Sequence, residues 1–223
     1  MSIPFTLERA FWTPVIVATL DEAESINAAL EPTILERYAQ RGFGDPEATG
    51  ARSGGWQSGH DLLSWGGEPA RAIRDAAIEL AEAHTDDILA GRADRPRGWA
   101  SKGWANLCGH GTYNRQHAHG DAYWAAVYYV RVDPGEGGEL VLHDPRAQFI
   151  DMHAPRLRFA PSGGEMAINL PPRAGMLLVF PGWLQHSIAP YFGDGHRISV
   201  AMNLSARFGV AATADPEVAP AGR

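Results

Sequence analysis

The chain has 223 residues, 45% of them hydrophobic and 20% charged. These are ordinary globular values that exclude a disordered or fibrous chain, and the length fits one large domain or two cramped ones. Its 19 basic residues against 26 acidic ones leave a net charge of −7, which argues against a nucleic-acid backbone or an anionic membrane as the main partner. Cys108 is the single cysteine, so no intrachain disulfide forms and no oxidising compartment is needed. The opening MSIPFTLERAF lacks the basic start and apolar core of a signal peptide. No run approaches the roughly 18 apolar residues of a membrane span. The expected location is therefore cytoplasmic, with no membrane partner.

In chain order, Leu20–Gly42 carries a helical stripe of Ile26, Ala29, Leu30, Ile34 and Leu35. Pro32 is expected to split or kink it, since proline removes a donor and clashes with the preceding turn. Phe43–Gly67 is rich in Gly, Ser and Trp and reads as a long irregular excursion. Glu68–Ala90 has the strongest helical pattern: Pro69 suits a first turn, and Ile73, Ala76, Ala77, Leu80 and Ala81 share a face. Beyond residue 98 the texture changes to β-branched and aromatic runs. Trp99–Cys108, Tyr123–Val132, Glu139–His143, Gly175–Phe180 and His196–Phe208 read as strands, separated by Gly/Pro/Asp turns. Such short strands suggest an antiparallel sandwich or jelly roll. The predicted fold is mainly β with N-terminal helices (α+β). A single domain would span residues 1–210, helical over 1–98 and jelly roll over 99–210, with a disordered tail at 211–223.

Nine histidines are present, five of them between His110 and His153. In Asn114–Asp121 (NRQHAHGD), His117, His119 and Asp121 are spaced by two, so an extended segment would project all three to one face. Spacing alone is weak, because a chain of this composition yields an H-x-D by chance about once in two. His84-Thr85-Asp86 is such a decoy, placed in the predicted helix, where residues two apart diverge. Farther on, Gly175–Gln185 closes on a Pro-Gly turn and delivers His186. In His196–Leu204, Ile198, Val200, Met202 and Leu204 share one face and Arg197, Ser199, Ala201 and Asn203 the other. If the apolar face packs under helices, Arg197 lies inside the barrel, where an unpaired charge is costly and a bound carboxylate would match its planar fork.

Two histidines and one carboxylate on one face leave open positions, the ligand pattern of a non-haem Fe(II) site. Over Trp99–Phe208 the chain resembles the 2-oxoglutarate/Fe(II)-dependent oxygenases, and within them a group of small, uncharacterised bacterial and phage enzymes. The resemblance rests on ordered blocks: His117-Ala-His119, Val127-Tyr128-Tyr129, Asp144-Pro145-Arg146, Phe180-Pro-Gly-Trp183-Leu-Gln-His186 and Arg197-Ile-Ser199-Val-Ala-Met-Asn203. It implies a double-stranded β-helix (cupin-like jelly roll) covered by helices, with iron held by His119, Asp121 and His186. It further implies that Arg197 and Ser199 bind the far carboxylate of 2-oxoglutarate with Tyr129 beside them, Asn106 lining the cosubstrate pocket. Relatives often carry Gly or Asn where Asp121 stands, so His117, His119 and His186 form the alternative set. Asp121 is the favoured ligand, because a carboxylate suits Fe(II) and lowers the site's charge, leaving His117 in a supporting or substrate-side role.

The implied activity is a dioxygenase using Fe(II), 2-oxoglutarate and dioxygen. It would hydroxylate a small metabolite or a protein side chain, with release of succinate and CO2. The competing reading is a cupin-like metal-binding protein that does not turn over 2-oxoglutarate. Phe43–Gly67 and Gln148–Pro172 are candidate lids, Cys108 is expected to be an inert buried thiol, and a homodimer is the base-rate assembly.

Overall fold

The structure, a computed structural model, describes residues 11–41, 52–53, 55–86, 96–153 and 166–208, with Pro4, Thr6 and Ile88. In chain order its elements are β1 (Ile16–Thr19), α1 (Ala23–Arg41), β2 (Arg52–Ser53), β3 (Trp56–Gln57), α2 (Leu62–Trp65) and α3 (Gly67–Ala83). There follow β4 (Pro96–Cys108), β5 (Tyr113–His117), β6 (Trp124–Val132), β7 (Leu140–His143), α4 (Ala147–His153), β8 (Ala167–Leu170), β9 (Met176–Pro181), β10 (His186–Ile188) and β11 (Arg197–Phe208). Among the described residues the strands form two sheets, ordered β1-β9-β6-β11-β4-β3 and β2-β5-β10-β7-β8. All the strand pairs within them are antiparallel. The tail 211–223 lies outside the described residues, as do residues 43–51 and 54 of one candidate lid and 154–165 of the other.

The five predicted strands are present as β4, β6, β7, β9 and β11, each with its ends within a few residues of the expectation. The first hundred residues are less purely helical than expected. Ile16–Thr19 pairs along β9 and Trp56–Gln57 along β4, so the N-terminal part also supplies strands to the larger sheet.

One helix corrects the expectation for Pro32. α1 runs unbroken through that proline. A proline inside a helix costs about 3 kcal/mol, and Ile26, Leu30 and Ile34 on the same helix are buried. Burial of each such side chain contributes roughly 1.5–3 kcal/mol, enough together to hold the helix in place. α3 also ends earlier than the pattern suggests, at Ala83. The Thr85 hydroxyl donates to the Ala81 carbonyl (2.6 Å) and accepts from the Trp124 indole (2.9 Å), while His84 Nδ1 meets the Leu80 carbonyl (2.8 Å). These bonds satisfy carbonyls of the last turn, and the His84-Thr85-Asp86 decoy is a helix terminus. Residues 87, 89 and 90 of the predicted helix lie outside the described residues.

Two apolar cores flank the larger sheet. On one side Ile198, Val200, Met202 and Leu204 of β11 pack with Leu30 and Ile34 of α1 and Ile73 and Ala77 of α3. On the other, Tyr129 and Ala125 of β6 and Leu178 and Phe180 of β9 meet Leu140, Leu142 and Ile188 of the smaller sheet. The alternation along β11 thus sorts its faces as the sequence pattern implies: apolar residues under the helices, Arg197, Ser199, Ala201 and Asn203 on the wall of a cavity between the sheets. Tyr128 and Tyr129 divide in the same way. Tyr128 points to α1 and donates to Asn27 Oδ1 (2.8 Å), while Tyr129 packs between the sheets.

Candidate active site

A cavity of about 310 Å3 opens between the sheets. Its wall on the larger sheet is set by strand register. Cys108, Asn106, Trp104 and Lys102 of β4 lie opposite Arg197, Ser199, Ala201 and Asn203 of β11, in that order. Because successive side chains alternate faces, these four rows climb one face from Arg197 to Asn203.

Across from the middle of this wall stand three histidines. His117 ends β5 and His186 begins β10, and the two are direct cross-strand partners. His119 is held by its own N–H on the Gly182 carbonyl (2.8 Å). One ligand-capable atom from each of His117, His119 and His186 lies within 4.8 Å of the others. Two of the rings are oriented by backbone: His186 Nδ1 is 2.9 Å from the Leu184 carbonyl and His117 Nδ1 is 2.7 Å from the Arg115 carbonyl. A carbonyl only accepts, so each Nδ1 carries the proton and leaves the Nε2 lone pair free for a metal. Burial pushes His186 down to about 3, with neighbouring His117, His119 and His143 acting the same way and its bond to Leu184 opposing. Burial likewise lowers His119 to about 4, helped by His117 and opposed by Asp121. Both imidazoles are therefore neutral at physiological pH, the form that binds metals.

Asp121 stands apart from this cluster. Its carboxylate accepts from Lys102 Nζ (3.4 Å) and Asn203 Nδ2 (3.3 Å) at the cavity mouth. The expectation that His117, His119 and Asp121 share one face rests on an extended chain, but β5 ends at His117. The next residues turn, with the Ala122 N–H on the His119 carbonyl (3.3 Å), so the alternation stops before Asp121. The set brought together is the alternative one of three histidines.

At the other end of the wall Arg197 is 2% exposed. Among the described residues no carboxylate pairs with it. Its Nη2 reaches Cys108 Sγ at 3.4 Å, and its Nε has no hydrogen-bond partner. The Tyr129 ring centroid is 5.9 Å from the guanidinium carbon, and the Tyr129 hydroxyl is buried without a partner. Burial raises that phenol, against the opposing pull of Arg197. Tyr129 is not itself a wall residue. Ser199 and Asn106, paired in register, are both buried on the wall. Arg197, Ser199, Tyr129 and Asn106 thus lie near one another on β11, β6 and β4. Cys108 is buried as expected, with its sulfur turned to the arginine.

Lys102, Trp104 and His60 were not singled out by the sequence reading, yet all three line the cavity. For Lys102 and Trp104 the signal was available, since they alternate with Asn106 and Cys108 along one strand. His60 sits in an irregular stretch and reaches Trp104 (ring centroids 4.9 Å) only through the fold.

Comparison with known proteins agrees with this architecture. The model of the family described as "Putative 2OG-Fe(II) oxygenase" matches residues 102–203. Among solved structures, a Pseudomonas putida prolyl-4-hydroxylase is similar over 87% of this chain and 94% of its own (TM-score 0.59, 18% identity). A Trichoplax adhaerens prolyl hydroxylase, in complex with a hypoxia inducible factor peptide fragment, covers 86% and 83% (TM-score 0.58, 14% identity). HygX from Streptomyces hygroscopicus, with nickel and 2-oxoglutarate bound, covers 86% and 83% (TM-score 0.52, 15% identity). No curated protein matches the sequence. The structural likenesses establish the double-stranded β-helix fold. The family match makes residues 102–203 of this chain similar to the 2-oxoglutarate/Fe(II)-dependent oxygenases.

Proposed function

We propose that the chain is a dioxygenase that binds Fe(II) through His117, His119 and His186. It hydroxylates a small metabolite or a protein side chain with release of succinate and CO2. The observation that carries this reading is a separation within one cavity: three imidazoles with neighbouring ligand atoms on one wall, and on the other a buried arginine that no carboxylate pairs with among the described residues. A ligand that chelates a metal at one end and presents a carboxylate at the other answers both features, and 2-oxoglutarate is such a ligand.

The residues fit the group. Imidazole suits iron, and a facial set of three ligands leaves positions for a chelating cosubstrate and dioxygen. Three histidines in place of two and a carboxylate leave the metal's charge uncompensated by protein, which favours an anionic cosubstrate beside it. Bound iron and 2-oxoglutarate supply the oxidative chemistry, dioxygen activation coupled to decarboxylation of the cosubstrate. The chain's own work is to position and exclude. Arg197 offers a planar donor fork to the far carboxylate. Ser199 places a hydroxyl one row along, and the Tyr129 ring lies beside the guanidinium, 5.9 Å from its carbon. Phe180, edge-on to His186 at 4.9 Å between centroids, keeps the metal side dry.

Succinate formation from 2-oxoglutarate with Fe(II) is the direct test. Turnover is expected to vanish in His186→Ala, and normal turnover there would sink the reading. In a thermal-shift scan Mn(II) should stabilise the protein and 2-oxoglutarate should add to it. A gain from Mn(II) alone would favour the cupin-like metal-binding protein.

A further inference from the structure

The mouth of the cavity holds polar groups that neither metal nor cosubstrate binding uses. Asn203 is 7% exposed and its Nδ2 donates to Asp121, which fixes the amide orientation and leaves Oδ1 as a buried acceptor without a partner on the cavity wall. A buried acceptor left unmade is costly, so the geometry calls for a donor from a ligand. Beside it the Asp121 carboxylate adds acceptor capacity and negative charge. Lys102, directly across the strand pair from Asn203, holds Asp121 at 3.4 Å, with the two side chains 62% and 61% exposed. An ion pair so exposed contributes little and opens readily. Trp104, one row in, presents an aromatic wall between this trio and His119 (ring centroids 5.9 Å). Asn203 lies six positions along β11 from Arg197, so the trio lies at the end of the wall remote from the carboxylate-binding end.

We propose that Asp121, Asn203 and Lys102 form the primary-substrate subsite, and that the substrate is a zwitterionic amino acid. This rests on the dioxygenase reading above. The substrate ammonium donates to the Asp121 carboxylate and to Asn203 Oδ1. Its carboxylate takes the Lys102 ammonium released from Asp121. A ligand with both charges exchanges one weak internal pair for two charge-assisted contacts and satisfies the orphaned amide oxygen. A cation alone would leave Lys102 unpaired, and an anion alone would leave Asp121 and Asn203 Oδ1 so. The side chain of the amino acid then faces Trp104 and the histidine cluster, where oxidation would occur.

The test uses the full chain with Mn(II) and 2-oxoglutarate under argon, titrated with the proteinogenic free amino acids while tryptophan fluorescence is read. At least one is expected to bind saturably, and its N-acetyl and methyl-ester derivatives to bind about tenfold more weakly or worse, the loss of one charge-assisted hydrogen bond. Asp121→Asn and Lys102→Met should each weaken the amino acid by a similar factor while Mn(II) and 2-oxoglutarate affinities stay near wild type. With Fe(II) and air, the same amino acid should accelerate succinate release. The subsite is overturned if no free amino acid binds, if the blocked derivatives bind equally well, or if Asp121→Asn loses Mn(II), which would make Asp121 a ligand. Failure of wild-type protein to bind Mn(II) and 2-oxoglutarate at all would instead overturn the underlying reading.

Discussion

His117 and His186 face each other as register partners across the β5–β10 ladder, with ring centroids 4.3 Å apart. Direct cross-strand pairing is among the closest side-chain relationships a sheet offers, and it fixes two of the three candidate ligands by backbone hydrogen bonds. A metal centre built this way depends on His117 as much as on His186. His117→Ala is expected to lower Mn(II) affinity by more than the roughly 10–100-fold that loss of a merely supporting residue costs. Titration followed by electron paramagnetic resonance would check it. A variant that keeps near-normal affinity would return His117 to a supporting role.

Arg197 is buried, and among the described residues no carboxylate pairs with it. Replacing an uncompensated buried charge with an apolar side chain of similar length relieves that cost. Arg197→Met should therefore melt at or above the wild-type temperature without ligand, yet gain nothing from 2-oxoglutarate. Wild type at a ligand concentration about 100 times Kd should gain roughly 2.7 kcal/mol. Paired thermal melts decide it, and a variant that is destabilised without ligand would make the arginine structural.

Gly182 packs so tightly beneath the His119 turn that a Cβ there would overlap the Ala122 carbonyl oxygen. Its carbonyl also accepts the His119 N–H, and its own N–H donates to Tyr123 (2.9 Å). Gly182→Ala should push the turn outward and misplace His119, costing about 1–3 kcal/mol of stability as overpacking does. The metal titration should show weakened binding while β-sheet circular dichroism stays intact. Unchanged metal affinity would mean the turn has slack.

A pH effect is expected just past the end of β6. Asp133 accepts two bonds from Arg131 (2.7 and 2.8 Å) and one from the His196 N–H (2.8 Å), tying the end of β6 to the residue before Arg197. The Arg131 bonds, then the His196 N–H, hold its carboxyl below the ordinary value of 3.8. A depressed carboxyl contributes stability in full above its unfolded pKa and loses it as pH falls through the lower folded one. Asp133→Asn should therefore be less stable than wild type by about 1–2 kcal/mol near neutrality. The gap should close only below about pH 4, as the native carboxylate takes up its proton. Chemical denaturation of both proteins across acid pH measures this, and a gap independent of pH would remove the carboxylate's charge from the account.

Much of this molecule follows from local pattern. β6, β9 and β11 are legible because runs such as VYYV and the alternation of Ile198, Val200, Met202 and Leu204 carry their own period. β5 and β10 are not, since YNRQH and HSI have neither the length nor the composition of strands; they are extended only because each finds a partner in the smaller sheet. Pro32 shows the same limit from the other side, a local helix breaker overruled by the burial of Leu30 and Ile34.

The candidate site divides along the same line. Sequence alone determines that Arg197 and Ser199 face the barrel and that His186 follows a tight turn, because alternation and glycine are local properties. It also supplies the three histidines and Asp121 as candidates. The choice among them belongs to tertiary structure. The chain turns after His119, held by Ala122 and seated on Gly182. That turn carries Asp121 to Lys102 and Asn203 at the cavity mouth, and leaves His117 facing His186. Periodicity holds only while a strand continues, and where β5 stops is set by contacts more than sixty residues away.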